Sequence, residues 1–214
     1  MGIQHWGAFG GFVKKTGALV GHYLNGQNVI TAVPHPSQEP PSTKQLAQRG
    51  KFGLVTGFLS DLSDLVKIGF KNSHKRKETA MNAAVSYNLK NAVTGVAPDF
   101  EMDYARVVYS KGKVDKPASF TVVAVANSRL TLSWTESVLS PFGKLTDLAT
   151  FVVYNPLKDM FMIAPGVVAR SVLTYNMVLP HSFAGADVHV FMTFAAADGE
   201  SVSDNVYMGT VEVL

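Results

Sequence analysis

Cysteine is absent from the chain, so disulfides, thiolate metal sites and cysteine nucleophiles are excluded together. Charge is scarce: only 16% of the 214 residues are Asp, Glu, Lys or Arg, against 47% apolar. A composition this apolar belongs to a folded chain with a sizeable core. No stretch approaches 18 consecutive apolar residues, so no helix is expected to cross a membrane. The opening MGIQHWGAFGGFVKKTGALVG is broken by Lys14 and Lys15 and does not read as a secretory signal. A soluble, cytoplasmic protein is the default expectation.

The motifs of common chemistry are missing too. The six histidines, His5, His22, His35, His74, His181 and His189, never fall three to five residues apart. No HExxH occurs, so the metal templates fail. GAFGG and GFVKKTG carry glycines and lysines without phosphate-loop order, and no GxSxG nucleophile elbow is present. Asp61 and Asp64 read as helix-terminal acids. Asp198, Glu200 and Asp204 sit in ADGESVSD, where Asp-Gly favours a turn and the EF-hand order is absent. The expectation is therefore a non-enzymatic protein with no catalytic, cofactor or metal residues.

What is present is a change of texture along the chain. GALVGHYLNGQNVITAV (17–33) holds two strand-like runs around Asn25-Gly26, a dipeptide suited to a tight hairpin turn. The prolines of PHPSQEPPS (34–42) exclude a helix or a central strand there. A helix is expected after Ser42, and Gly50, Gly53 and Gly57 within it suggest close packing of another backbone or a break near Ser60. Ser60-Asp61 then suits the cap of a second helix through Leu62, Leu65, Val66 and Phe70. A third is expected over 79–93, and DYARVVYSKG (103–112) reads as a strand entering a turn.

From Lys116 the pattern alternates with period two. SFTVVAV, RLTLSW, ATFVVYN, MFMIA, RSVLTYN, DVHVFMTF and NVYMGTVEV are seven strand candidates, which favours a two-sheet sandwich. Leu130, Leu132 and Trp134 share one face. The fold class is thus an α+β N-terminal part, a glycine-rich β-hairpin plus about three helices, over 1–112, followed by an all-β sandwich over 116–214. Charge divides similarly: residues 1–115 carry 14 Lys/Arg against 8 Asp/Glu, and residues 116–214 carry 5 against 8. Such asymmetry suggests two units with different surfaces.

At RLTLSWTES the second half resembles a fibronectin type III domain, in which a tryptophan closing the second strand packs in the core. Trp134 stands at that position, and LPHSFAGADVHVFMTF and VSDNVYMG resemble the later strands. Val188 replaces the tyrosine that usually pins the family's corner. Through PSTKQLAQRGKF, NAAVSYNLKNAVTG, FEMDYARVVYSKG and VSDNVYMG, the whole chain also resembles a bacterial family known as a domain of unknown function. That resemblance implies no substrate, cofactor or active site.

Two groups remain as candidate contacts. KNSHKRKE brings Lys71, Lys75, Arg76 and Lys77 together near Lys67, where they would neutralise phosphates. It has no aromatic between Phe70 and Tyr87 on which bases would stack, so a solvated connection between helices is the preferred reading. Tyr87, Asn88, Lys90 and Asn91 form a polar group on the third helix, in which Asn88 and Asn91 beside Tyr87 would suit a peptide or sugar. Capping, contacts at the core's edge or helix–helix hydrogen bonds are the plainer and preferred explanation for that group. The leading functional expectation is binding or assembly through protein partners or self-association. Nucleic-acid binding by the basic half is second, and an enzyme of unrecognised class third. Exposed aromatics would also suit a glycan.

Overall fold

The computed structural model describes residues 3–4, 10–24, 26–35, 39–73, 78–136 and 138–214. They form two compact units, Met1–Thr43 and Lys44–Leu214.

The first unit is an antiparallel sheet in chain order, made of β1 (Ile3–Gln4), β2 (Phe12–Thr16), β3 (Leu19–Leu24) and β4 (Gln27–Ala32). Leu24 faces Gln27 in the β3–β4 register, which leaves a two-residue turn. Gly26 adopts φ +79° there, as such turns require; Asn25 lies outside the described residues. The carbonyl of Phe12 occupies the space a Cβ on Gly21 would need. Gly21 is the one buried residue among those described in this unit.

The second unit opens with α1 (Thr43–Ser60), α2 (Ser63–Gly69) and α3 (Ala80–Asn91). Thr79 caps α3, its side chain accepting the Asn82 N–H at 3.1 Å. Ser60-Asp61 does not cap α2: Leu62 holds that position without a side-chain bond, and the Ser60 hydroxyl donates back to the Gly57 carbonyl. Gly53 and Gly57 face open space, so they do not mark a close backbone approach; the expected break is present instead, α1 ending at Ser60 and α2 beginning at Ser63. A hairpin of β5 (Val93–Val96) and β6 (Asp99–Met102) follows. Residues 103–112 form no strand. A single 3-10 turn at Tyr104–Arg106 leads into an extended run held by side chains instead of a ladder.

All seven expected strands are present, as β7 (Phe120–Val125), β8 (Arg129–Trp134), β9 (Leu148–Asn155), β10 (Met160–Ala169), β11 (Thr174–Val178), β12 (Asp187–Ala195) and β13 (Val206–Glu212). They make two antiparallel sheets, ordered β10-β9-β12-β13 and β11-β8-β7. The start of RSVLTYN is a 3-10 turn, because Arg170 is drawn inward at the strand's edge. Leu130, Leu132 and Trp134 point between the sheets against Phe151, Val190 and Phe194, as their alternation predicts. The Trp134 indole N–H donates to the Arg170 carbonyl at 2.9 Å, which satisfies its one polar group. Val188 is buried in the same core.

The larger sheet is also covered on its other face. Val55, Phe58, Leu59 and Val66 of α1 and α2, with Val85 of α3, pack against Val152, Tyr154 and Phe191. Each large apolar side chain buried there stabilises the fold by about 1.5–3 kcal/mol. The expected division at 112–116 therefore runs through a shared core, whereas the observed boundary precedes the helices.

Two outcomes follow from this packing. Trp134→Ala should lower stability by about 3–5 kcal/mol in urea melts, the range for a buried aromatic. A chain beginning at Lys44 should melt cooperatively. One beginning at Lys116, with Val152, Tyr154 and Phe191 uncovered, should lose its sharp transition in calorimetry.

Candidate functional site

Residues 107–114 link the helices to the sandwich. Val107 and Tyr109 enter the core beneath the helices, which forces the backbone between them into places no regular strand reaches. Buried backbone groups need partners, and side chains from both sides supply them. Asn88, fully buried on α3, accepts the Val108 N–H at 2.9 Å and donates to the Val108 carbonyl at 2.7 Å and the Ala84 carbonyl at 2.9 Å. Asn205 accepts the Tyr109 N–H at 3.1 Å and donates to the Val107 carbonyl at 2.8 Å. The Asp204 carboxylate accepts the Gly112 N–H at 3.1 Å. Two glycines let the backbones meet: the Tyr109 carbonyl fills the Cβ space of Gly69, and the Val202 carbonyl that of Gly112.

With its polar backbone turned inward, the segment leaves Lys111 and Lys113 outside. They lie in a furrow of three adjoining depressions of about 580, 250 and 480 Å³. The first runs past Gly69, Gly112, Lys113 and Phe142, and shares Ser73 and Lys111 with the second. The second shares Tyr87, Lys90 and Asn91 with the third, which continues to Arg106 and Tyr207. The Lys111 ammonium stands 4.8 Å from the Tyr87 ring centre, and that of Lys113 stands 5.8 Å from Phe142. Both are cation–π distances. Arg106 is paired with Asp103 at 3.2 Å, but among the described residues no carboxylate pairs with Lys90, Lys111 or Lys113.

The sequence candidates divide on this geometry. Tyr87 and Asn91 line the furrow, Asn91 donating to the Tyr87 carbonyl at 2.7 Å. Asn88 is not part of a polar binding face, because its amide is buried and consumed by the backbone. Lys71 is exposed and pairs with Glu200 at 2.6 Å. Lys67 pairs with Asp64 at 2.8 Å, and that hydrogen bond lowers the Asp64 pKa. Lys75, Arg76 and Lys77 lie outside the described residues. Asp198 accepts the Glu200 N–H, and among the described residues no three His, Asp or Glu groups are placed to hold a metal ion. Lys111, Lys113, Phe142 and Asn205 were not singled out from sequence. No local period marks them: Val107, Tyr109, Lys111 and Lys113 share one parity, yet the first two are buried and the last two exposed.

Two further clusters have structural explanations. His189 stands on the helix-facing side of β12, stacked on Tyr104 at 4.1 Å, with Nδ1 2.8 Å from the Tyr207 hydroxyl. Burial lowers its pKa, and Asp187 opposes that shift. Tyr154 donates to Asp159 at 3.0 Å, and burial raises its pKa. At the sandwich end, Arg170 is 1% exposed, donates to the Asp115 carbonyl at 2.6 Å and to Asp147 at 3.3 Å, and covers the Phe194 ring at 3.8 Å. Desolvation lowers its pKa against the pull of Asp147.

These features define a mixed α+β protein in which three helices cover one face of an antiparallel sandwich. The chain belongs to the family of unknown function DUF6266, whose family model matches residues 11–209. No curated protein matches it. Among solved structures, the solution structure of the fn3 domain of human collagen alpha-1(XX) chain is similar at 19% identity. That similarity covers 45% of this chain and 82% of that one, with a TM-score of 0.30.

The role assigned to Asn88 separates it from its neighbour. Asn88→Ala would strand buried backbone groups of Val108 and should cost about 1–3 kcal/mol in chemical denaturation. Asn91→Ala, at an exposed position, should stay within about 0.5 kcal/mol of the parent.

Proposed function

We propose that the protein is a non-enzymatic binding protein that takes an extended acidic segment of a protein partner in the Tyr87–Lys111–Lys113 furrow. The observation that carries this reading is the row of Lys90, Lys111 and Lys113, alternating with Tyr87 and Phe142. Aromatics and cations in a shallow cleft supply the two ingredients of a peptide groove: apolar contact and charge complementarity. The sandwich of residues 116–214 is taken as fibronectin type III-like, on the core position of Trp134 and the division of seven strands into four and three.

Nucleic acid fits the same lysines less well. A phosphate backbone carries charge of one sign along its whole length. The furrow instead has Asp204 and Glu78 among its lining residues, and Glu200 neutralises Lys71 beside it. A peptide with alternating acidic and apolar residues meets such a mixed lining without repulsion at every step.

Fluorescence anisotropy with a labelled peptide of alternating Glu and Leu tests this. Lys111→Glu combined with Lys113→Glu should weaken binding at least about tenfold, or 1.4 kcal/mol. Lys158→Glu, on an exposed turn of the sandwich, should leave it unchanged. A labelled oligothymidylate that binds more tightly than the peptide, and is lost in the double variant, would establish the nucleic-acid reading instead. No binding of the peptide would sink the proposal.

A further inference from the structure

We propose that β4 pairs antiparallel with β4 of a second copy of this chain, joining two four-stranded sheets into one. The inference stands on the first unit alone and is independent of the furrow. The Val33 N–H donates to the Ala18 carbonyl at 2.9 Å, and this bond fixes the alternation along β4. With Val33, the residues Thr31, Val29 and Gln27 turn their backbone groups toward β3. Asn28, Ile30 and Ala32 therefore turn theirs outward, and among the described residues no backbone group bonds to them there.

This edge lacks the devices that keep strands from pairing. Charges, prolines and bulges blunt edges in native sheets. QNVITA has no charge and no proline, and three consecutive β-branched residues favour extension. The edge strand β10 carries Pro165 beside a register shift, and the edge strand β13 carries another shift and Glu212. β7 and β11 are uncharged too; β13 lies beside β7, and β11 lacks the run of β-branched residues that β4 has.

The occupant follows from self-complementarity. Pairing about a twofold at Ile30 sets Ile30 against Ile30 of the second copy and Asn28 against its Ala32. All three outward residues then exchange both backbone bonds with a partner. No like charges meet at the seam. The nearest lysines described, Lys14 and Lys15, lie on β2, two strands inside the sheet. Across the seam the β2 strands are about 24 Å apart, at about 4.8 Å per strand, well beyond the screening length. The unit also has need of a partner: Leu19, Tyr23 and Ile30 remain 44%, 50% and 49% exposed on one face. A small sheet with so little buried surface gains from extension.

The absence of cysteine makes a direct test available. In the proposed register, facing residues at position 30 have Cα atoms about 5.5 Å apart, within disulfide reach. Ile30→Cys in the full chain should form a covalent dimer under mild oxidation, while Val123→Cys on β7 should not. The unmodified chain should show concentration-dependent dimerisation in sedimentation velocity, with Ile30→Lys raising the dissociation constant at least tenfold. Circular dichroism should show the strand content of Ile30→Lys unchanged. A chain that stays monomeric, or a dimer that Ile30→Cys fails to cross-link and Ile30→Lys fails to weaken, overturns the proposal.

Discussion

Strand β9 is buried on both faces, and the architecture of the second unit depends on that constraint. Phe151 and Val153 point between the sheets, whereas Val152 and Tyr154 point beneath the helices. β12 does the same, with Val190, Met192 and Phe194 on one side and Phe191 on the other. A strand with apolar residues on both sides cannot remain at the surface of a two-layer sandwich, so a third layer must cover it. α1, α2 and α3 are that layer. Their apolar faces and the outer face of the sheet stabilise each other, which explains why the compact unit begins before the helices.

The furrow is a consequence of how the third layer is fastened. Residues 107–114 must pass from the helices to the first sandwich strand across a buried seam. Their backbone polar groups are satisfied by Asn88, Asn205 and Asp204 in place of a neighbouring strand. Val107, Tyr109 and Val114 are buried, whereas Lys111 and Lys113 face out although they share the parity of 107 and 109, because the segment turns with its side-chain partners instead of keeping a strand's period. The glycines at 69 and 112 bring the crossing backbones close and leave a depression where side chains would otherwise stand. The same crossing that locks the layers together thus displays lysines beside Tyr87 and Phe142.

The parts of this arrangement that were legible in sequence are those governed by local period. RLTLSW alternates apolar and polar residues, and its inward face is the one the pattern predicts. ATFVVYN does not alternate, which is the mark of a strand covered on both sides; read only as another strand, it did not reveal the third layer. DYARVVYSKG has a strand's composition, but its partners are the side chains of Asn88 and, more than 90 residues away, of Asn205 and Asp204, which no local period reports. Asn88 and Asn91 are three positions apart on α3, yet one is a buried clip and the other a surface residue. The difference depends on where Val108 returns, and that is set by tertiary packing.

The charge asymmetry of the two halves takes on a different meaning once they share a core. The basic residues near α2 and in 107–113 and the acidic residues of the 196–205 loop meet along one seam, where Lys71 reaches Glu200 and Asp204 holds the Gly112 N–H. An exposed ion pair such as Lys71–Glu200 contributes little stability by itself. Its effect is to remove one cation from the surface field while leaving its neighbours uncompensated. Lys90, Lys111 and Lys113 lie in the furrow, and among the described residues no carboxylate pairs with them. Recognition there would depend on side-chain charge and weaken with salt, whereas pairing along β4 would depend on backbone hydrogen bonds and apolar contact. The two proposed surfaces would therefore respond to different conditions.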